Sequence, residues 1–357
     1  MSNLASIYQD FLISSSGKIE VTKFAKILGK GFSHDRFTKQ LLLDDTLDDD
    51  KNLWNCTKSL LRYYENDNNG CILIDDCLLS KPHTAVNGTV CWHYDHVSGK
   101  MAKGMLMLNF HYTDDTGISI PLGYEIITKT EDVWSNEYQK YVKKSMFTKN
   151  EIMMDKLKIL QLNNHVKFKY VLFDKWFSSI KNLVFINEVM NKHFVCPIKS
   201  NRQIALTKED KDKGNYVNIS KVDIEDCSSR LIYLKGYNNP IKLIKQVVKN
   251  GCDDKSVYLY LVTNDTNLSF QETLKIYKKR WKIEEYHKSL KQNLKIEHSP
   301  TKVETSQRNH IYLCVCAFIK LEKLRLNYNM NHFALKEKIY IEALKVAYEK
   351  VGELECA

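Results

Sequence analysis

Glycine and proline are scarce, 13 and 5 of 357 residues, which leaves little material for long flexible linkers. No long apolar run exists. The longest is nine residues, 311–319, far short of the ~20 that cross a bilayer. The first residues carry Asp10 and no basic-then-apolar block, so no secretory leader is expected. The ten cysteines include no Cys-x-x-Cys pair and follow no regular spacing. That fits reduced, mostly buried thiols in a cytoplasmic compartment better than disulfides or a zinc site. A Gly-rich phosphate loop is missing. At the nearest match, Gly29-Lys30, Gly31 stands where Ser or Thr is needed and Phe24 where the first Gly belongs. His83, His93 and His96 lack a further ligand at metal-site spacing, so they are expected to make polar contacts. No cysteine has a base at a spacing that suggests a nucleophile.

What is present is ordinary globular material. Hydrophobic residues make up 43% and charged residues 27%, which excludes a disordered or fibrous chain. The length suits about two domains with cores that need no staple. Lys plus Arg outnumber Asp plus Glu by 53 to 43, a net charge of +10. A basic chain of this kind points to a polyanionic partner, most often nucleic acid.

Residues 1–66 have helical periodicity and read as a small helical N-terminal domain, interrupted by an acidic run at 44–50. From residue 70 the texture changes. Segments 71–76 (CILIDD), 103–112, 118–127, 168–174 (FKYVLFD) and 193–196 read as strands, with helices over 150–160 and 181–191. Segment 89–97 is left out of the strand count as a loop. Strands alternating with helices predict an α/β class, a mixed sheet flanked by helices. Residues 199–255 are polar and punctuated, with short strand-like pieces at 231–234 and 241–248. Residues 256–262 read as a strand, 271–294 as one long helix, 307–326 as a second, and the tail from 327 as helical. The expected division is 1–66, 67–198, 199–255, 256–326 and 327–357.

The 271–294 helix carries an unusual pattern. At about 100° per residue, Tyr277, Arg280, Glu284 and Lys291 fall on one stripe, extended by Lys288 and Lys295. Ile276, Ile283, Leu290 and Leu294 form a second stripe that can face a core. Trp281 and Tyr286 are expected to pack in that core. An ordinary Arg280–Glu284 surface pair would contribute only ~0.2–0.5 kcal/mol. Such a pair needs no Tyr and Lys along the same stripe. One acid among bases suits a carboxylate that holds a metal while its neighbours hold phosphates.

Two more acids end predicted strands, Asp75 the first and Asp174 the fourth. Ligands gather at strand carboxyl ends in such sheets. Two strand-end carboxylates and one from a packed helix can bind hard cations through oxygen. Two ions ~3.5–4 Å apart can activate a water or a 3′-hydroxyl for in-line displacement at phosphorus. Asp76 competes with Asp75, because successive strand residues face opposite sides and only one can enter the site. Asp75 is the expectation and Asp76 the alternative.

These residues resemble a known family. Tyr277-x2-Arg280-x3-Glu284-x6-Lys291 is similar to the Tyr-Arg-Glu-Lys signature of bacterial insertion-sequence transposases of the DDE class, insertion-sequence-four type. Ile74-Asp75-Asp76-Cys77 resembles the first-Asp block, with Cys77 where the family usually has Thr. The stretch 172–179 (LFDKWFSS) resembles the second-Asp block. The resemblance implies an RNase H-like core interrupted by a β-rich insertion at 199–255. It implies that Asp75, Asp174 and Glu284 bind Mg²⁺ or Mn²⁺. Tyr277, Arg280, Lys288, Lys291 and Lys295 would contact DNA backbone. The implied activity is cut-and-paste transposition. Its partners would be double-stranded terminal inverted repeats, bound by the N-terminal helices, and target DNA. A homodimer on DNA in the bacterial cytoplasm, at the nucleoid and without a membrane, is expected. The alternatives are an inactive transposase-derived regulator and an RNase H-like nuclease without strand transfer.

Overall fold

The structure is a computed structural model and describes residues 3–15, 17–29, 31–95, 98–249 and 256–355. Lys30, His96, Cys252 and Cys356 lie outside the described residues. The chain opens with four helices: α1 (Asn3–Ser14), α2 (Val21–Leu28), α3 (His34–Phe37, continued by a π-helical turn) and α4 (Asp50–Tyr64). Four strands follow, β1 (Cys71–Ser80), β2 (Cys91–Asp95), β3 (Lys100–Thr113) and β4 (Ile120–Ile127). A separate hairpin comes next, β5 (Glu131–Ser135) and β6 (Lys140–Lys144). Then come α5 (Lys149–Lys158), β7 (Tyr170–Phe173), α6 (Ile180–Val184) and β8 (His193–Pro197). The polar stretch holds β9 (Gln203–Ala205), α7 (Lys208–Lys213), β10 (Val217–Asn218), β11 (Ser228–Leu234) and β12 (Ile241–Lys249). The chain closes with β13 (Ser256–Thr263), α8 (Phe270–Lys278), α9 (Trp281–Gln292), α10 (Glu304–Tyr328) and α11 (His332–Glu355).

One mixed sheet runs β10-β9-β11-β12-β13-β8-β7-β1-β3-β2, with β4 also paired to β3. Strands β1, β7 and β8 are parallel, whereas β3 runs antiparallel to β1, β2 and β4. This α/β arrangement is compatible with the RNase H-like core expected from the sequence. The polar stretch adds its strands to the β8 edge through β13, which pairs antiparallel with β8.

The period-2 alternation of β1 divides the interior into two cores. Cys71, Leu73, Cys77 and Leu79 enter the core made with α1, α2, α9 and α10. Ile72 and Ile74 enter the opposite core, packed with α5 and α6. The N-terminal helices are therefore covered from inside by the C-terminal ones. Leu4, Tyr8, Phe11 and Leu12 of α1 share one core with Ile311, Val315 and Phe318 of α10, and Tyr8 Oη lies 3.1 Å from His310 Nδ1.

Three sequence expectations are corrected here. Cys91–Asp95 is a strand and not a loop, because β3 extends back to Lys100 and offers it a partner. Strand β1 does not end at Asp75 or Asp76. It continues to Ser80 because β3 pairs with it that far, while β7 leaves after Phe173. The segment 271–294 is not one helix. Lys279 N and Arg280 N bond three residues back, to Ile276 O and Tyr277 O, both at 3.0 Å. Such a 3₁₀-type turn tightens and redirects the chain. It lets α8 pack on β8 and α9 on β1, two strands apart in a twisted sheet.

Candidate active site

The parallel register places the two strand acids. Ile74 pairs with Phe173, the last pair between β1 and β7. Asp75 and Asp174 are the next residue on each strand, at the point where β7 ends and the pair opens. Adjacent strands lie ~4.8 Å apart, so the two acids begin side by side. Asp75 shares the parity of Leu73 and Cys77 and lies on the α9 side of the sheet. Asp76 has the parity of Ile74 and pairs with Lys149 at the start of α5 on the other side.

Glu284 sits in the first turn of α9, where the helix N-terminus favours a carboxylate. Arg280 joins it to the strand acid. The guanidinium bonds Glu284 Oε1 at 2.5 Å and lies 3.6 Å from Asp75 Oδ2. The Arg280 guanidinium also lies 5.7 Å from the centre of the Tyr277 ring. Its buried Nε has no partner among the described residues, so one donor remains unspent.

Burial pushes the Asp75 carboxyl up to about 7; Arg280 opposes the shift, and the charges of Asp174 and Asp76 add to it. Asp174 is also raised, by burial first, against the backbone N–H of Trp176, which donates to its Oδ1 at 2.9 Å. Two carboxylates that raise one another in a desolvated place mark a functional site, since folding gains nothing from their repulsion.

The chemistry of three carboxylates suits a hard divalent ion. The arrangement does not yet form a cage for one. Among the described residues no three His, Cys, Asp or Glu side chains gather closely enough to hold an ion. Arg280 stands between Asp75 and Glu284 and supplies the positive charge there.

The remaining expected residues are spread. Lys291 turns inward, donating to Leu78 O at 2.7 Å and pairing with Glu297 at 3.3 Å, so it ties α9 to the end of β1. Lys288 is exposed, its Nζ 5.0 Å from the centre of the Phe333 ring. Lys295 is not on the helix, as the stripe requires. Helix α9 ends at Gln292, and Lys295 follows in a left-handed turn at φ 57°. Trp281 is 60% exposed instead of packed. With Ile283 and Leu290 turned to the core, a residue two positions before Ile283 lies about 200° around the helix. Tyr286 is buried as expected.

Sequence reasoning missed three neighbours. Asn109 lies opposite Asp75 across β1 and β3, with Nδ2 3.0 Å from His287 Nε2. Burial, aided by Lys291 and Arg280, holds His287 down at about 3, so it is neutral and accepts there. Glu297 accepts from Ser80 N at 2.8 Å and anchors the Lys291 tie. None of them has a spacing that would single it out in the sequence.

A mixed sheet with paired acids at parallel strand ends, facing a helix-borne glutamate, defines the class of carboxylate-dependent enzymes built on an RNase H-like frame. Residues 150–319 match the family model described as transposase DDE domain, a span that holds Asp174 and Glu284. The chain is also 28% identical over 179 residues to a Synechocystis sp. protein described as "Putative transposase for insertion sequence element IS4SA". That alignment covers 49% of this chain and 48% of the relative, so the chain spans about half the length of the curated relative it matches. The chain belongs among the DDE-class insertion-sequence transposases.

Proposed function

We propose that the protein cuts and joins DNA at the ends of its own insertion sequence by a cut-and-paste route. Water attacks phosphorus and releases a 3′-hydroxyl. That hydroxyl then attacks a phosphodiester of the target and displaces another 3′-oxygen. The observation that carries this reading is the register that sets Asp75 beside Asp174, with Glu284 linked to Asp75 through Arg280.

In this reading Asp75, Asp174 and Glu284 are the catalytic carboxylates, and cleavage depends on Mg²⁺ or Mn²⁺. Arg280, with its unspent donor, and the exposed Lys288 hold backbone phosphates, as do Tyr277, Lys291 and Lys295. Phosphate contacts set register without reading sequence. Residues 1–66 bind the terminal inverted repeats, 199–255 form an insertion in the RNase H-like core, and two copies act together on DNA in the cytoplasm.

Glu284→Gln keeps the shape of the side chain and removes its charge. It should bind a labelled duplex end as the parent does and lose cleavage by at least a hundredfold. A mutant that still cuts refutes the triad. Chelation of divalent ions should abolish cleavage and leave end binding in place. Cut ends without joined product would favour the nuclease without strand transfer. The guanidinium between Asp75 and Glu284 favours a second reading, a DNA-binding regulator without chemistry, for which no metal would restore cleavage.

A further inference from the structure

Beside Asp174, on the side where β9 and β11 meet the turn after β7, the fold opens a cleft of about 580 Å³. Four cations line it, Lys175, Lys199, Arg202 and Lys235, and no carboxylate does. They come from separate parts of the chain: the turn after Asp174, the loop after β8, and the end of β11. Like charges brought together without an internal counter-ion repel one another, and a bound polyanion relieves that repulsion. Two of the four are already oriented. Arg202 donates to Ser178 O and Lys235 to Gln203 Oε1, each at 2.8 Å.

Trp176 forms the lip of the same cleft and is 56% exposed. A tryptophan left in water is costly unless something covers it. Its backbone N–H is fixed on Asp174, and Lys149 Nζ lies 4.7 Å from the centre of its ring. The indole is therefore held in place at a cationic groove. Duplex phosphates need cations and no exposed ring. A groove of cations with an open aromatic ring is the arrangement that takes a single strand, whose bases are free to stack.

We propose that this cleft binds one unpaired strand of DNA, with backbone phosphates on Lys175, Lys199, Arg202 and Lys235 and a base stacked on Trp176. The proposal rests on the reading that the neighbouring site acts on DNA. It adds that a strand leaves the duplex beside Asp174 and passes between the core and the strands of the 199–255 stretch. It gives these four cations and Trp176 a task separate from that of the Tyr277–Lys291 stripe.

The test uses the full chain and a labelled oligothymidylate of about 12 nucleotides, a length within the usual single-strand site size. Binding is read by anisotropy over a salt series, with a labelled duplex end in parallel. Trp176→Ala should weaken oligonucleotide binding about tenfold with an unchanged salt slope, and Trp176→Phe should restore most of it. Lys199→Glu with Arg202→Glu should weaken binding and flatten the salt slope by about two, one per lost phosphate contact. The same charge change at Lys58 and Lys350, on α4 and α11, should leave the oligonucleotide affinity within about twofold of the parent. Parent-like binding by Trp176→Ala overturns the proposal while duplex binding leaves the DNA reading standing. So does an equal loss in the Lys58 and Lys350 control. Preference for an oligouridylate of the same length overturns the choice of DNA. A parent protein that binds neither probe removes the DNA reading and the cleft proposal with it.

Discussion

Asp75 carries more of the site's electrostatics than any other residue. Its carboxyl, raised to about 7 mainly by burial, keeps its proton well above the pH at which an unfolded Asp ionises. Between about pH 4 and pH 7 the folded protein thus holds a proton that the unfolded chain has released. Stability falls as pH rises through that window and levels off above it. Asp75→Asn removes the penalty. It should raise the melting temperature at pH 8 by a few degrees, change it little at pH 4, and abolish cleavage. Equal effects at both pH values would show that the residue is not desolvated as described. Arg280 acts on the same group, holding the Asp75 shift down. Arg280→Ala should therefore move the midpoint of the stability–pH curve upward, and Arg280→Lys, which keeps the charge, should move it less. A midpoint unmoved by either substitution would separate Arg280 from Asp75. The choice between Asp75 and Asp76 stayed open in the sequence, since adjacent strand residues differ only in face. The partners of β1 and the place of Lys149 separate the two.

At the scale of elements, strands and long helices were legible because burial imposes a period. Segments 71–76, 103–112 and 241–248 match β1, β3 and β12 to within a few residues, and α10 lies where an apolar helix was expected. The break between α8 and α9 was not legible. No Gly or Pro marks it, and it follows from the two helices resting on different strands. Its cost was the placement of Trp281 and Lys295. The hairpin of β5 and β6 was also illegible, because Glu131–Ser135 and Lys140–Lys144 are exposed on both faces and show no alternation. Helix α8 does announce its start. Ser269 accepts from Glu272 N while Glu272 reaches back to Ser269 N, a reciprocal capping box. Because α8 leads into the turn that carries Arg280, the cap helps to fix the site. Ser269→Ala should cost roughly 1 kcal/mol in denaturant unfolding without changing the slope. Glu272→Ala should cost a similar amount, and the double variant less than the sum, since the two share one motif. Full additivity would mean that the two bonds are independent.

The whole molecule depends on how its two ends meet. The expectation of a separate helical unit over 1–66 came from a change of texture at residue 70, and texture alone does not report what a helix packs against. Here Leu4, Tyr8, Phe11 and Leu12 of α1 enter the core that also holds Cys314, Val315 and Phe318 of α10 and Ile283 and Leu290 of α9. Helix α4 adds Thr57 Oγ1 donating to Pro121 O on β4. A chain that begins at residue 67 would strip the apolar cover from α10, whose residues 311–319 are almost wholly buried. Each large side chain so exposed would forfeit roughly 1.5–3 kcal/mol. A folded domain is stable by only about 5–15 kcal/mol, so the loss of several such contacts exceeds the margin. The truncated protein should therefore aggregate or bind hydrophobic dye, and lose the near-ultraviolet signal of packed aromatic residues. The full chain should melt in one transition that includes α1, followed by a probe attached there. If residues 67–357 give a sharp cooperative melt of their own, α1–α4 are an appendage, and the carboxylates of Asp75 and Glu284 do not need them to stay in place.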